Sequence, residues 1–197
     1  MRLQTKGAED RRIQKTTNLL REALVSLIAE KPYDSIVVKE ILDRANVGRS
    51  TFYTHFRDKD DLLISGIHDM LGPVPSPTRT PGKGQEWILW FSLPVFDHHY
   101  RYAHAWGDRI GPRGRTILHE HLRRVLTEII AEAMKRDFRF GRQPARQIPP
   151  ELISSYIAST FVLVLNWWLD KRMRLPAKEI NEVFRRLTLP TLTAVWS

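Results

Sequence analysis

The stretch from Val37 to Leu63 constrains the fold of this chain more than any other part of it. Apolar residues at helical spacing predict a first helix with one buried face, formed by Val38, Ile41, Leu42 and Ala45. Turn-prone residues at 46–48 end this pattern, and a second helix of about residues 49–56 follows, burying Phe52 and Phe56. The sequence therefore predicts two short helices joined by a tight turn, with a third helix directly after them.

The outer face of the second helix is short and polar and carries no acidic residue. Its side chains are Arg49, Ser50, Thr51, Tyr53, Thr54 and His55. A helix of this size fits the DNA major groove, where side chains of its first turn reach base edges. The guanidinium of Arg49 matches the O6 and N7 acceptors of guanine, so we expect Arg49 to read a base. An ordinary helical hairpin with a solvated face has the same apolar pattern and remains the alternative.

The segment ANVGRSTFYTHFRDKDDLL, with the preceding LLREALVSLIAEKPYDSIVVKEILDRA, resembles the DNA-binding domain of TetR/AcrR-family transcriptional regulators. The resemblance covers about Ile13 to Met70, and the Thr-Phe-Tyr-x-His-Phe-x-x-Lys run is its most specific part. It implies a homodimeric regulator, most often a repressor, that binds palindromic double-stranded operator DNA. It also implies that Tyr53, His55 and Lys59 mainly hold phosphates, with further base or methyl contacts from Ser50, Thr51 and Thr54.

Two positions depart from the family pattern. Val37 stands where the family usually has Thr or Ser, and Gly48 stands where it often has Ser. Both are helix N-cap positions, at which a hydroxyl caps the helix and touches phosphate. Valine cannot cap through its side chain, although the carboxylate of Glu40 suits the first turn of that helix. We therefore expect DNA affinity to depend more on the remaining contacts.

Composition bounds the class of protein without identifying it. The net charge of +9 favours a polyanionic partner, but it is spread along the chain and is only a weak argument for DNA. The absence of cysteine excludes disulfides, cysteine-based zinc sites and thiol catalysis. The N-terminus has no apolar signal core, and the apolar run at 161–169 is too short to span a bilayer. We therefore expect a cytoplasmic protein with no membrane partner.

Helical patterns on either side of a segment rich in proline and glycine predict two all-α domains. Residues 1–71 form the helix-turn-helix domain with a basic arm at 1–12, which is either a disordered tail or a contact to DNA. Residues 72–84, with four prolines and three glycines, form a linker. Residues 85–197 form a helical domain for ligand binding and dimerisation. Its first two short helices are expected to be separated at Pro94.

The helix predicted at about 150–172 is apolar on nearly all sides, so two opposite sides of it must be buried. One side meets its own domain and the other is expected to meet a second copy, together with the final helix after Pro176. The family pairs its last two helices in a four-helix bundle. The predicted dimer interface comprises Ser155, Ser159, Leu163, Trp167, Ile180 and Phe184.

Aromatic residues are dense between positions 87 and 106. They either fill the core or wall a pocket for an unknown small hydrophobic or aromatic effector, which the resemblance places in the second domain. The predicted ligand residues are Trp87, Trp90, Phe91, Tyr102 and Trp106. The basic run at 109–146 is either a solvated face or an attraction for an anionic effector.

The sequence offers no site for catalysis. His119-Glu120-His121 lacks the HExxH spacing of a zinc hydrolase, and no nucleophile elbow, P-loop or dinucleotide fingerprint occurs. We expect no metal, no cofactor and no enzymatic activity. Two other classes stay open: a helical partner-binding module with a vestigial helix-turn-helix, and a ligand-handling enzyme.

Overall fold

This computed structural model of the protein describes residues 3–71, 86–106, 110–138 and 148–196, with side chains described outside 3–10, 68–69, 102–106, 136–138 and 196. The predicted all-α fold class is confirmed. Two 3-10 turns lie at Tyr33–Ser35 and Glu86–Leu89. The α-helices are α1 (Leu3–Glu30), α2 (Val38–Ala45), α3 (Arg49–His55), α4 (Lys59–Ile64), α5 (Ile67–Leu71), α6 (Ser92–Trp106), α7 (Gly111–Phe138), α8 (Pro150–Asp170) and α9 (Ala177–Trp196).

Contacts divide the chain into two compact units. The first unit comprises residues 1–66 and 103–118, and the second comprises residues 67–102 and 119–197. Helix α7 therefore contributes its first residues to the first unit and its remainder to the second. The predicted linker at 72–84 lies outside the described residues, so its boundaries remain a prediction.

The core of the first unit is built from α1, α2, α3 and α4, with α1 packed against α2 and α4 and with α3 packed against α2. Its fully buried side chains include Leu20, Ile28, Tyr33, Ile41 and Phe52. Two ion pairs brace α1 against α2: Arg44 with Glu30 at 2.6 Å, and Lys31 with Glu40 at 2.5 Å. This bracing holds the helix-turn-helix against the long first helix.

The basic N-terminal segment, for which the sequence predicts an arm over residues 1–12, is helical from Leu3. No proline occurs between Leu3 and Glu30, and Gln, Lys, Ala, Glu and Arg all favour helix. The helix that the apolar stripe predicted further along therefore continues through the polar residues to Leu3.

The core of the second unit is aromatic. The Phe161 ring lies 5.0 Å from Phe91, 4.8 Å from Phe96 and 5.2 Å from Phe184, and Trp168 lies 5.5 Å from Phe96, all between ring centroids. These rings come from α6, the residue before it, α8 and α9, so they join the three helices.

Helix α6 runs through Pro94, and the break predicted there from the sequence does not occur. Pro94 lies in the first turn of the helix, where a backbone N–H has no intrahelical acceptor to lose. Proline is therefore tolerated there.

Helix α8 is long and apolar enough to cross a membrane by length and composition, and 44% of that apolar window is buried within the protein. The core helix of a soluble protein meets the same criterion, so this finding is weak support for a membrane span.

Candidate DNA-recognition site

The helix-turn-helix begins without a side-chain cap. Val37 is extended, with φ −108° and ψ 152°, and its side chain makes no capping hydrogen bond. Its N–H instead donates to Glu40 Oε2 at 3.0 Å, and Lys31 holds the same carboxylate. The Lys31 ammonium and the Val37 amide lower the pKa of Glu40. Glu40 thus replaces part of the missing cap.

The turn between α2 and α3 depends on one left-handed residue. Asn46 has φ 52° and ψ 46°, and its N–H donates to Leu42 O. Asparagine tolerates this conformation better than most residues, and it ends a helix in the manner of glycine. The Val47 N–H also donates to Leu42 O at 3.1 Å, so α2 ends abruptly and α3 begins two residues later.

Helix α3 separates a buried face from an exposed one. Phe52 is fully buried, and Phe56, the residue that ends the helix, is 8% exposed. The predicted DNA-contacting face carries five exposed residues and the half-buried His55, the five being Arg49, Ser50, Thr51, Tyr53 and Thr54. All six predicted residues therefore lie outside the buried face of α3.

Arg49 lies over the ring of its neighbour one turn along. Its Cζ is 5.6 Å from the centroid of the Tyr53 ring, and the Tyr53 ring meets the buried Phe52 edge-on at 5.2 Å. Among the side chains that the structure describes, no carboxylate forms an ion pair with Arg49, whereas Arg57 pairs with Asp61 at 3.3 Å. The Arg49 guanidinium is thus held by a ring and keeps its hydrogen-bond donors available.

Lys59, predicted to hold phosphate, points into its own unit. Its ammonium donates to three carbonyl oxygens, those of Tyr33 at 2.9 Å, Asp34 at 3.2 Å and Ile36 at 2.7 Å, and it lies 4.5 Å from the Tyr33 ring centroid. Burial lowers the pKa of Lys59. An ammonium has three N–H donors, and three carbonyls take them all. We therefore leave Lys59 out of the proposed DNA interface.

Replacing Lys59 with methionine is expected to destabilise the first unit by about 1–3 kcal/mol, because three carbonyls lose their donor. Urea unfolding measures this loss. The slope of log Kd for DNA against log salt should stay unchanged, because no phosphate contact is removed. A smaller salt slope with unaltered stability would instead return Lys59 to the interface.

Further polar contacts surround Lys59. The Tyr33 hydroxyl donates to Asp60, and burial together with that carboxylate raises the pKa of Tyr33, so the hydroxyl stays protonated. Arg113, from the first turn of α7, pairs with Asp60 at 2.8 Å and Asp34 at 3.4 Å. We call Tyr33, Asp34, Lys59, Asp60 and Arg113 the Tyr33 cluster.

The predicted effector residues are only partly brought together. Phe91 is fully buried in the aromatic core and meets Trp90 edge-on at 5.6 Å. Trp87 and Trp90 are half-buried, and the Nε1–H group of each is buried without an acceptor among the described residues. The side chains of Tyr102 and Trp106 lie outside those described. In the basic run, Arg113 and Arg123 are both paired with carboxylates.

The predicted dimer contact divides into exposed and buried residues. Ser159, Leu163 and Trp167 are exposed on α8, the latter two by 68% and 49%, and Ser155 is half-buried. Ile180 and Phe184 are fully buried within their own subunit, so their assignment to the interface is corrected.

Helix α9 has two apolar faces, and the exposed one carries Val183 and Leu187. We call the exposed apolar residues of α8 and α9 the candidate dimer face: Leu152, Tyr156, Leu163, Trp167, Val183 and Leu187.

Among the described side chains, no group of three or more His, Asp or Glu residues is arranged to hold a metal ion. The His99 Nδ1–H group donates to Val95 O over 2.9 Å, and burial lowers the pKa of His99 to about 4. The imidazole is therefore neutral near pH 7.

Two family models match the chain. Residues 20–65 match the bacterial regulatory proteins of the tetR family, and residues 91–189 match a transcriptional regulator C-terminal region, about half of the chain. The chain belongs to the TetR family. Its membership confirms the predicted family, and it identifies the chain as a transcriptional regulator with a helix-turn-helix DNA-binding domain.

Solved TetR-family structures share the fold. A TetR transcriptional regulator from Streptococcus agalactiae is 21% identical with a TM-score of 0.53, and the match covers 93% of this chain and 98% of that one. A TetR-family regulator from Rhodococcus sp. is 15% identical with a TM-score of 0.56, covering 93% of this chain and 100% of that one. At these identities the likeness shows the fold alone.

A curated relative matches over a short region. The uncharacterized HTH-type transcriptional regulator YxbF of Bacillus subtilis is 38% identical over 59 residues, which cover 29% of this chain. The match spans 16% of the length of that relative.

Membership of the TetR family decides against the enzyme class. TetR-family regulators are non-enzymatic DNA-binding proteins, so the prediction that the chain is not an enzyme is confirmed. The roles of individual residues do not follow from membership and stay predictions.

Proposed function

We propose that this TetR-family regulator is a repressor that binds palindromic operator DNA as a homodimer and responds to a small effector. The observation that carries the proposal is the exposed face of α3, on which Arg49 is held by Tyr53 and has no acidic partner among the described side chains. Ser50, Thr51, Thr54 and His55 complete the part of α3 outside its buried face, and the Thr54 hydroxyl donates to Ser50 O at 3.0 Å. Arginine, serine, threonine and histidine side chains suit base edges and phosphates in the major groove.

A direct test is the salt dependence of DNA binding, measured by fluorescence anisotropy on duplexes. Binding through a groove-seated helix displaces counterions, so log Kd should rise linearly with log salt. A complete lack of salt-sensitive binding would favour the alternative of a partner-binding module with a vestigial helix-turn-helix.

The candidate dimer face supports the proposal that the protein is a homodimer. Leu152, Tyr156, Leu163 and Trp167 fall on one stripe of α8 with Ser159 between them, and Leu187 on α9 is 55% exposed. A contiguous exposed apolar surface of this kind is typical of a subunit contact. Ser159 is small and lets a partner helix approach closely. We place the subunit contact here and omit Ile180 and Phe184.

Two buried indole donors support an effector site in the second unit and suggest its chemistry. Trp87 and Trp90 are three residues apart, and the backbone N–H of Trp90 donates to the backbone O of Trp87 at 3.2 Å, which is 3-10 geometry. Side chains at this spacing lie on the same face of a 3-10 turn. A buried donor without an acceptor is costly, so a ligand that supplies acceptors gains affinity there. The effector is therefore an apolar or aromatic molecule that carries hydrogen-bond acceptors.

A matched pair of probes tests this effector chemistry. We expect 2-acetylnaphthalene to bind about tenfold more tightly than 2-isopropenylnaphthalene, in which a CH2 group replaces the carbonyl oxygen and removes the acceptor. Trp87→Phe and Trp90→Phe should each reduce that preference and leave the affinity for 2-isopropenylnaphthalene unchanged. Equal affinities in the wild type, or no binding of either probe by fluorescence, would contradict the assignment.

Effector binding would weaken operator binding by favouring a separation of the two α3 helices that no longer matches successive major grooves. The difference in effector affinity between the two separations limits how far the equilibrium moves. We place the protein in the cytoplasm, where its operator DNA lies.

A further inference from the structure

Hydrogen bonds from Lys59 and Tyr33 join the ends of the helix-turn-helix to each other. The segment directly before α2 includes the carbonyls of Tyr33 and Ile36, and the segment directly after α3 includes Lys59 and Asp60. Lys59 donates to both carbonyls, and the Tyr33 hydroxyl donates to Asp60. Since α2 and α3 lie between these segments, the hydrogen bonds hold the two ends of the helix-turn-helix together.

The first turn of α7 packs on this closure. Arg113 pairs with Asp60 after α3 and with Asp34 before α2, at 2.8 Å and 3.4 Å. One guanidinium therefore contacts both ends of the helix-turn-helix. Its planar fork of N–H donors allows two carboxylates to be held at once, which an ammonium does less well.

Glycine brings α7 close to the Tyr33 ring. A Cβ on Gly114 would lie 3.1 Å from Tyr33 Cδ1 and 3.0 Å from Ile110 Cγ1. Tyr33 is fully buried and held by Asp60 and Lys59, so its ring cannot yield easily. Gly111 opens the helix with φ +68°, a conformation that other residues adopt only with strain. The approach thus depends on two glycines and one arginine.

We propose that Arg113 is a positioning residue for DNA recognition: through Asp34 and Asp60 it fixes the two ends of the helix-turn-helix and so the orientation of α3. The inference rests on the proposed DNA binding by α3. Arg113 reads no base itself, since its guanidinium is shared between two carboxylates of the first unit. The same pairing makes Arg113 a poor site for an anionic effector, because the anion would have to displace both.

Two variants and a control test this role. Arg113→Gln removes both ion pairs, and Gly114→Ala separates α7 from Tyr33 by steric contact while improving the intrinsic helix propensity of α7. Arg101→Gln is the matched control, because it removes the same charge and one exposed ion pair, with Asp97, in the second unit. Operator affinity, salt slope and preferred sequence are measured for each, well below its thermal unfolding transition.

We expect Arg113→Gln and Gly114→Ala to bind operator about threefold to tenfold more weakly per half-site, with the salt slope and the preferred sequence unchanged. Arg101→Gln should bind like the wild type. The inference is overturned if Arg113→Gln also binds like the wild type, or if its salt slope falls, which would mark a phosphate contact. Failure of the wild type itself to bind DNA would instead overturn the proposed function.

Discussion

Glutamate at both Leu163 and Leu187 is expected to give folded monomers that bind operator DNA at least about 100-fold more weakly. Leu163 and Leu187 are 68% and 55% exposed within the subunit, so their replacement leaves its core intact. In the proposed dimer the same positions are covered, and buried unpaired carboxylates oppose association. A monomer retains only one half-site contact. Sedimentation velocity and anisotropy titration measure the two effects.

Two control variants separate this effect from general damage. Glutamate at Ile13 and Leu19, which are 40% and 39% exposed on α1, adds the same charge and should leave the dimer intact. Phe184→Ala should act differently, since Phe184 is fully buried, and cost about 3–5 kcal/mol of folding stability. An unchanged dimer in the Leu163 and Leu187 double variant would place the interface elsewhere.

Arg49→Ala is expected to weaken operator binding by roughly 1–3 kcal/mol per half-site. Arg49 lies in the first turn of α3, the part that reaches base edges, and its guanidinium lies over Tyr53 without an ion pair among the described side chains. Because both subunits carry the change, the loss applies twice in the dimer. Titration of one operator with wild type and variant at fixed salt gives the difference.

Arg57→Ala is the matched control for Arg49→Ala. It removes the same charge two residues beyond α3, from a side chain that is exposed but paired with Asp61 at 3.3 Å. We expect a small loss that is equal for all DNA sequences. A loss for Arg57→Ala as large as that for Arg49→Ala would show that charge alone explains both.

The helix-turn-helix was predictable because its signals are local. Its three signals lie within a few helical turns of one another. They are the helical spacing of Ile41, Leu42 and Ala45, the turn residue Asn46, and the i, i+4 pair of Phe52 and Phe56. Each specifies its own geometry before any distant contact forms. The structure accordingly gives the predicted buried and exposed faces of α3.

The sequence could not predict which face of a helix with two apolar faces is buried, or which way a long side chain points. Helix α9 has one apolar pair at Ile180 and Phe184 and a second at Val183 and Leu187. The periodicity of the sequence cannot say which pair packs into the core of its own subunit. Lys59 could equally reach outward to phosphate or inward to carbonyls, because its long side chain has many rotamers.

The Tyr33 cluster gives no signal in a single sequence. Arg113 is 53 residues from Asp60 and 79 from Asp34, and it lies within a run of basic residues that resembles a solvated face. Only the fold, in which the start of α7 belongs to the first unit, shows that these charges meet.

Selection of bound duplexes from a random DNA library, run in parallel with the wild type and Arg49→Ala, tests the central claim most directly. The wild type should enrich an inverted repeat whose half-sites are one helical turn or a multiple apart, as two symmetry-related α3 helices require. Arg49→Ala should enrich the same repeat with relaxed preference at one base pair of each half. No enriched sequence from the wild type, or an identical preference from both proteins, would contradict base reading by α3.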